Sequence, residues 1–180
     1  MSSHSISIVP KQSEYPDSKS KAKEILDWLI SKNIVQSHLS DCILGSENGY
    51  AISKGANDIT EYIEYLPFNL LTNGLEITTK RQIFHTGQNE MDVCICPNCK
   101  ENITSDVWDF LDDWFEHKSN NLICNHCNQE TEINNYSFEP QWGFSNLGFT
   151  FWNWPELKED FIEEFKEILG VEICIVHTHI

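Results

Sequence analysis

Three observations predict an α+β fold for this chain of 180 residues. Strand-like runs open and close it, two segments with three- and four-residue apolar steps lie just inside those ends, and the middle carries two Cys-x-x-Cys pairs. The order strand, helix, strand, cysteine-bearing insert, strand, helix, strand is that of a ferredoxin-like βαββαβ sandwich whose middle hairpin is interrupted. The chain divides accordingly into the N-terminal part of an α/β core over 1–92 with a helical elaboration at about 45–71, an insert over 93–133, and the C-terminal part of the core over 134–180.

Each element follows from local pattern. Ser5-Ile6-Ser7-Ile8-Val9 alternates polar and apolar residues and stops at Pro10, as a short strand does. After Ser18 or Ser20 as a cap, Ala22, Ile25, Leu26, Leu29 and Ile30 give a helix one apolar face, and Asn33 stops it. Ile59, Tyr62, Ile63 and Leu66 mark a further helical face ending at Pro67. Leu75–Phe84 reads as a strand, followed by a polar turn over His85–Glu90 and by Val93-Cys94-Ile95. Inside the insert, Val107, Phe110, Leu111, Trp114 and Phe115 build an apolar helix face, with Thr104 or Ser105 as its cap. Phe149–Trp154 carries aromatics on both faces, which suits a central strand. A helix from Pro155 turns Leu157, Phe161, Ile162, Phe165, Ile168 and Leu169 inward until Gly170, and Val171–Val176 closes as a strand.

The cysteine pairs are Cys96-Pro97-Asn98-Cys99 and Cys124-Asn125-His126-Cys127. Each can fold as a knuckle whose two thiolates point at one ion, and two facing knuckles complete the tetrahedron of a structural Zn2+. Such a closed site holds structure rather than running chemistry. The 24 residues from Lys100 to Ile123 make a long loop, but closure entropy grows only logarithmically with length. Cys94 and His126 are competing ligands that lack the paired spacing; disulfides involving Cys42, Cys94 or Cys174 are the other use of these thiols.

A net charge of −16 is the second strong signal. A zinc ribbon that binds nucleic acid needs a basic stripe to neutralise phosphates. Around the cysteines lie instead Asp106, Asp109, Asp112, Asp113 and Glu116, and Lys80-Arg81 is the one adjacent basic pair near a strand. The expectation is therefore no nucleic acid, and a protein partner with a basic surface. The amino terminus lacks a basic region followed by an apolar run, and no stretch is long enough to cross a bilayer. Seven cysteines without an export signal point to a reducing cytoplasm.

The segments Ile8-Val9-Pro10, Cys96–Cys99 with the Trp108–Phe115 helix, the aromatic strand after Trp142-Gly143-Phe144, and Leu169-Gly170 through His177 resemble a group of small standalone bacterial zinc-ribbon proteins of uncharacterised role. Some of these carry a sugar-transporter ATPase label. The likeness covers about two-thirds of the chain and leaves Gly45–Leu71 as an added segment. It implies the fold and the metal module. The ATPase label has no counterpart here, since no Gly-x-x-x-x-Gly-Lys-Ser/Thr loop is present.

The leading expectation is a non-enzymatic binding protein, in a concrete form an immunity-type inhibitor that covers the basic active site of a toxin such as a nuclease. Asp109, Asp112, Asp113 and Glu116 on one helix and Glu159, Asp160, Glu163 and Glu164 on the other would supply the charge. Trp142, Phe144, Trp152 and Trp154 serve either as anchors or as core. An alternative is an enzyme or metal sensor with a second site: His177 and His179 share one strand face, and an antiparallel first strand would bring His4 to them. A nucleic-acid-binding zinc ribbon ranks last.

Overall fold

The computed structural model describes residues 2–88 and 90–180; Met1, and Asn89 within the turn expected over His85–Glu90, lie outside the described residues. β1 (His4–Pro10) leads to α1 (Ser18–Ser31), then to a hairpin of β2 (Val35–Ser40) and β3 (Gly49–Ile52). After a long loop come β4 (Leu75–Thr78) and β5 (Gln82–Phe84). β6 (Val93–Ile95), α2 (Trp108–Phe115), β7 (Asn121–Ile123), β8 (Glu130–Glu132) and β9 (Ser137–Glu139) form the cysteine-bearing module. β10 (Gly143–Ser145), β11 (Gly148–Trp152), α3 (Glu159–Leu169) and β12 (Ile173–His179) complete the chain.

Six strands form one sheet in the order β12-β1-β11-β4-β3-β2, and every neighbouring pair is antiparallel. Alternation along β1 sends Ile6 and Ile8 to one face, where Phe149 and Phe151 of β11 and Leu75 of β4 join them. α1 and α3 cover that face with Ala22, Ile25, Leu29, Phe161, Phe165 and Leu169. Trp28 lies flat on Phe161 at 5.5 Å and meets Phe165 edge-on at 5.6 Å, so the two helices lock to each other as well as to the sheet. α3 ends where Gly170 takes a left-handed φ of 72°. No helix among the described residues is long and apolar enough to cross a membrane.

Several local expectations are corrected. The strand over Leu75–Phe84 is broken in two: β4 stays beside β11, while β5 leaves to pair with β10. The expected helix over Ile59–Leu66 does not form; two 3-10 turns, Lys54–Asp58 and Ile63–Tyr65, and the strand β3 occupy the 45–71 region instead. Its apolar set splits, with Ile59 and Leu66 buried and Tyr62 and Ile63 exposed. Thr60 explains the break, because its hydroxyl accepts from the Tyr62 N–H (3.0 Å) and donates to the Glu156 carbonyl (2.7 Å), competing with the helical ladder. The same contact delays α3 from Pro155 to Glu159, with the Lys158 N–H spent on the Ile59 carbonyl at 2.9 Å. Thr104 and Ser105 sit in a 3-10 turn rather than capping α2.

A second core lies in the module, where Cys94, Ile103, Val107, Phe110, Leu111, Trp114, Tyr136 and Phe144 pack together. Arg81, in the break between β4 and β5, joins it to the sheet. Its buried guanidinium lies 4.0 Å above the Trp114 ring, donates from Nε to the Trp114 carbonyl (2.6 Å) and also bonds Asn120. Trp114 Nε1 in turn donates to Ser13 Oγ at 2.8 Å, just beyond β1.

Phe165 is fully buried against Trp28, Phe149 and Phe161. Phe165→Ala should lower stability by about 3–5 kcal/mol, whereas Phe115→Ala, at a ring 54 % exposed, should stay within about 1 kcal/mol. Urea unfolding measures both; equal losses would contradict this placement of the core.

Candidate metal centre

Two strands aim the cysteine pairs at each other. β6 runs directly into Cys96 and β7 directly into Cys124, the second pair forming the turn of the β7–β8 hairpin. Both turns have the same build. The Cys96 carbonyl accepts from the Lys100 N–H (3.0 Å) and the Cys96 N–H donates to the Glu101 carbonyl (3.0 Å); Cys124 repeats this with Asn128 (2.8 Å) and Gln129 (3.0 Å). Lys100 and Asn128 occupy the equivalent left-handed positions, at φ 66° and 60°. Asn98 Nδ2 ties one turn to the other through Thr131 Oγ1 at 2.9 Å.

The four sulfurs converge. Cys96 and Cys127 Sγ are 3.8 Å apart, Cys99 and Cys124 Sγ 3.7 Å, and all four lie within 4.8 Å of one another. A regular tetrahedron with metal–sulfur bonds of about 2.3 Å has edges of about 3.8 Å. These separations are far too long for disulfides, and all seven cysteines are free. Cys94 and His126, the competing ligands, stand outside the group.

The thiols are graded for stepwise ionisation. Burial holds Cys96 toward the neutral form, but N–H groups of Cys99 and Asn98 and the neighbouring thiols outweigh it and bring Cys96 to about 6. At Cys99 the Glu101 N–H favours the thiolate, yet burial and the adjacent cysteines win and push it up to about 12; Cys127 is raised in the same way. One ionised sulfur thus suppresses the next until a cation neutralises them. Cys94 and Cys174, pushed to about 12 chiefly by burial, are inert core thiols.

The other expected site residues are dispersed. β1 and β12 pair in the anticipated antiparallel sense and set His4 opposite His179, rings 6.2 Å apart. His4 Nε2 nevertheless bonds the Trp154 carbonyl at 3.1 Å, and His177 Nε2 bonds Glu156 Oε1 at 2.8 Å. Among the described residues the four cysteines form the one group of three or more such side chains whose ligand atoms converge, so His4, His177 and His179 make no second cluster. Asp109, Asp112, Asp113 and Glu116 are exposed on α2 in the module, and Glu159, Asp160 and Glu163 are exposed on α3, with Glu164 half-buried. One acidic set lies on the module helix and the other on a helix that covers the sheet. Lys118 sits 2.6 Å from Glu116 and 3.4 Å from Asp113, and Lys32 lies 3.2 Å from Glu164. Trp142, Phe144, Trp152 and Trp154 are all buried, hence core rather than anchors.

The exposed apolar groups lie elsewhere. Tyr62, Ile63, Tyr65, Phe68, Leu70 and Leu71 all face solvent, Tyr65 at 68 % and Leu71 at 92 %. Hydrogen bonds brace this loop at both ends: before it the Thr60 hydroxyl holds the Tyr62 N–H (3.0 Å) and the Glu156 carbonyl (2.7 Å), and after it Asn73 Nδ2 donates to the Leu70 carbonyl (2.9 Å), Asn153 Nδ2 to the Thr72 carbonyl (2.9 Å) and Trp154 Nε1 to the Asn73 carbonyl (2.7 Å). The signal in sequence was a dense apolar run around Pro67 with no sustained period.

No protein-family model, curated protein or solved structure matches the chain.

Cys99→Ser or Cys124→Ser should abolish stoichiometric metal binding, while Cys94→Ser and Cys174→Ser retain it, as read by elemental mass spectrometry; retention in the first pair would break the four-thiol assignment. Thiols must lose their protons to ligate a metal, and Cys99 and Cys127 are both raised, so affinity should climb with pH from about 6.5 to about 8.5 and fall on acidification. Chelator competition across that range measures it, and a flat profile would contradict the account.

Proposed function

We propose that the protein is a non-enzymatic, cytoplasmic protein-binding module stabilised by one structural Zn2+, acting as an immunity-type inhibitor of a toxin such as a nuclease. The observation that carries the binding reading is the braced loop from Tyr62 to Leu71. Six large apolar side chains exposed together in water are costly for a free protein, and docking would remove them from solvent on a loop whose backbone is already hydrogen-bonded in place. The net charge of −16, with Glu61 and Glu64 exposed in the same loop, selects a basic partner and speeds its approach.

Zinc is favoured by the donor set, since four thiolates in a tetrahedron suit a soft, four-coordinate ion and leave no position open for substrate. Seven free thiols favour a reducing compartment. A ferredoxin-like reading of the core is supported by the order β12-β1-β11-β4, antiparallel throughout, with α1 and α3 on one face; β2 and β3 then extend its edge. A nucleic-acid role is disfavoured because Arg81, from the one basic pair near a strand, is buried on Trp114.

The test is isolation of the untagged protein from its own host, with the metal measured on the same eluate. One zinc per chain and one stoichiometric basic partner are expected. Tyr65→Ser combined with Leu71→Ser should release that partner without changing zinc content or melting temperature. No partner, or a partner held equally by the double variant, would overturn the reading.

A further inference from the structure

α2 carries more apolar surface than its core requires. Val107, Phe110, Leu111 and Trp114 fill the module, yet Trp108 and Phe115 remain 39 % and 54 % exposed on an adjoining stripe. They wall an open groove of about 510 Å³ whose other side is built by His85 and Trp142. Trp142 is the buried floor at 3 % exposure, with Trp108 edge-to-face on it at 5.8 Å and His85 5.5 Å away, so the accessible rings of the groove are those of Trp108 and Phe115. Asp112 supplies a carboxylate to the lining, and no lysine or arginine lines the groove. Burial lowers the His85 pKa, and its Nδ1 accepts from the Gly87 N–H at 3.0 Å, so at neutral pH the imidazole adds no positive charge.

We infer that this groove receives an arginine side chain from a segment of the protein partner. The exposed Trp108 and Phe115 rings beside the Asp112 carboxylate are the complement of a guanidinium, which stacks through its plane while its N–H fork engages the acid; an ammonium does only the second well. Asp109, exposed on the same helix, extends the attraction beyond the groove, while Asp113 and Glu116 pair with Lys118. A second copy of the chain does not fit the role. Its sole arginine, Arg81, is buried, and two copies at −16 each repel. The inference rests on the protein-binding reading for the source of the arginine, but it concerns a surface distinct from the Tyr62–Leu71 loop.

The experiment follows the six tryptophan indole N–H resonances of the zinc-loaded chain by NMR. The probe is acetyl-Gly-Arg-Gly-amide, with the citrulline peptide as its neutral match and free tetramethylammonium as a small cation. The arginine peptide should move Trp108 and Trp142 and leave Trp154 unchanged, binding about tenfold more tightly than the citrulline peptide. Asp112→Asn should weaken it about fivefold and Trp108→Ala should abolish it, whereas Glu159→Gln with Asp160→Asn on α3 should have no effect. Equal binding of citrulline, shifts confined to other indoles, or equal weakening by the α3 variants would overturn the assignment. Tetramethylammonium binding as tightly as the peptide would transfer the groove to small metabolite cations and so overturn it too. If the native partner is lost with the loop variant while the peptide leaves Trp108 untouched, the groove fails and the binding reading survives; if no partner is isolated and the peptide leaves Trp108 untouched, both fail.

Discussion

Four thiols closing on one point are the constraint from which the module's order follows. Between Cys99 and Cys124 the chain leaves and returns over 24 residues, carrying one two-turn helix and a single three-residue strand. A stretch of this size buries too small a fraction of its surface to hold itself together. Structural zinc supplies about 10–16 kcal/mol of apparent binding free energy in small peptides, ample to offset closing such a loop.

The module is tied to the rest of the molecule through β5 and β10, whose Ile83 and Phe144 join its core, and through Arg81. Its guanidinium sits on Trp114 and takes the carbonyl of the same residue near the end of α2, where a cation also complements the helix dipole. Ser13 reaches the indole from the other side and contacts Asn134, whose side-chain amide donates to the Phe144 carbonyl at 3.0 Å. The sheet core, by contrast, is closed by its own helices through aromatic contacts that owe nothing to the metal. Two main hydrophobic cores thus lie among the described residues, one under the sheet helices and one in the module that carries the four converging thiols. The aromatic groove beside α2 lies at their seam.

Much of this was legible because single elements bury one regular face. β1, α1 and α3 repeat apolar residues at the period of their structure, β11 and β12 are marked by short apolar runs, and the spacing of Cys96, Cys99, Cys124 and Cys127 states its geometry outright. The hairpin β2–β3 was hidden because β2 at the sheet edge leaves His38 and Leu39 exposed, so no alternation marks it. Likewise the three-residue strands β5, β6, β9 and β10 pair over long separations and carry too few residues for a period. The apolar set at Ile59, Tyr62, Ile63 and Leu66 had helical spacing, but Thr60 spends its hydroxyl on Glu156 and Tyr62, and the exposed half became surface. Which apolar residues face solvent is decided by tertiary contacts, and local period does not report it.

The most direct test of a metal-ordered module on an independently folded sheet is hydrogen exchange resolved along the chain, before and after chelation at neutral pH. Amides of α2 and of the β7–β8 hairpin should lose protection when the metal is removed, while those of β1, β11 and β12 keep theirs. Protection lost uniformly, or not at all, would contradict the division into two cores and the role given to the four thiols.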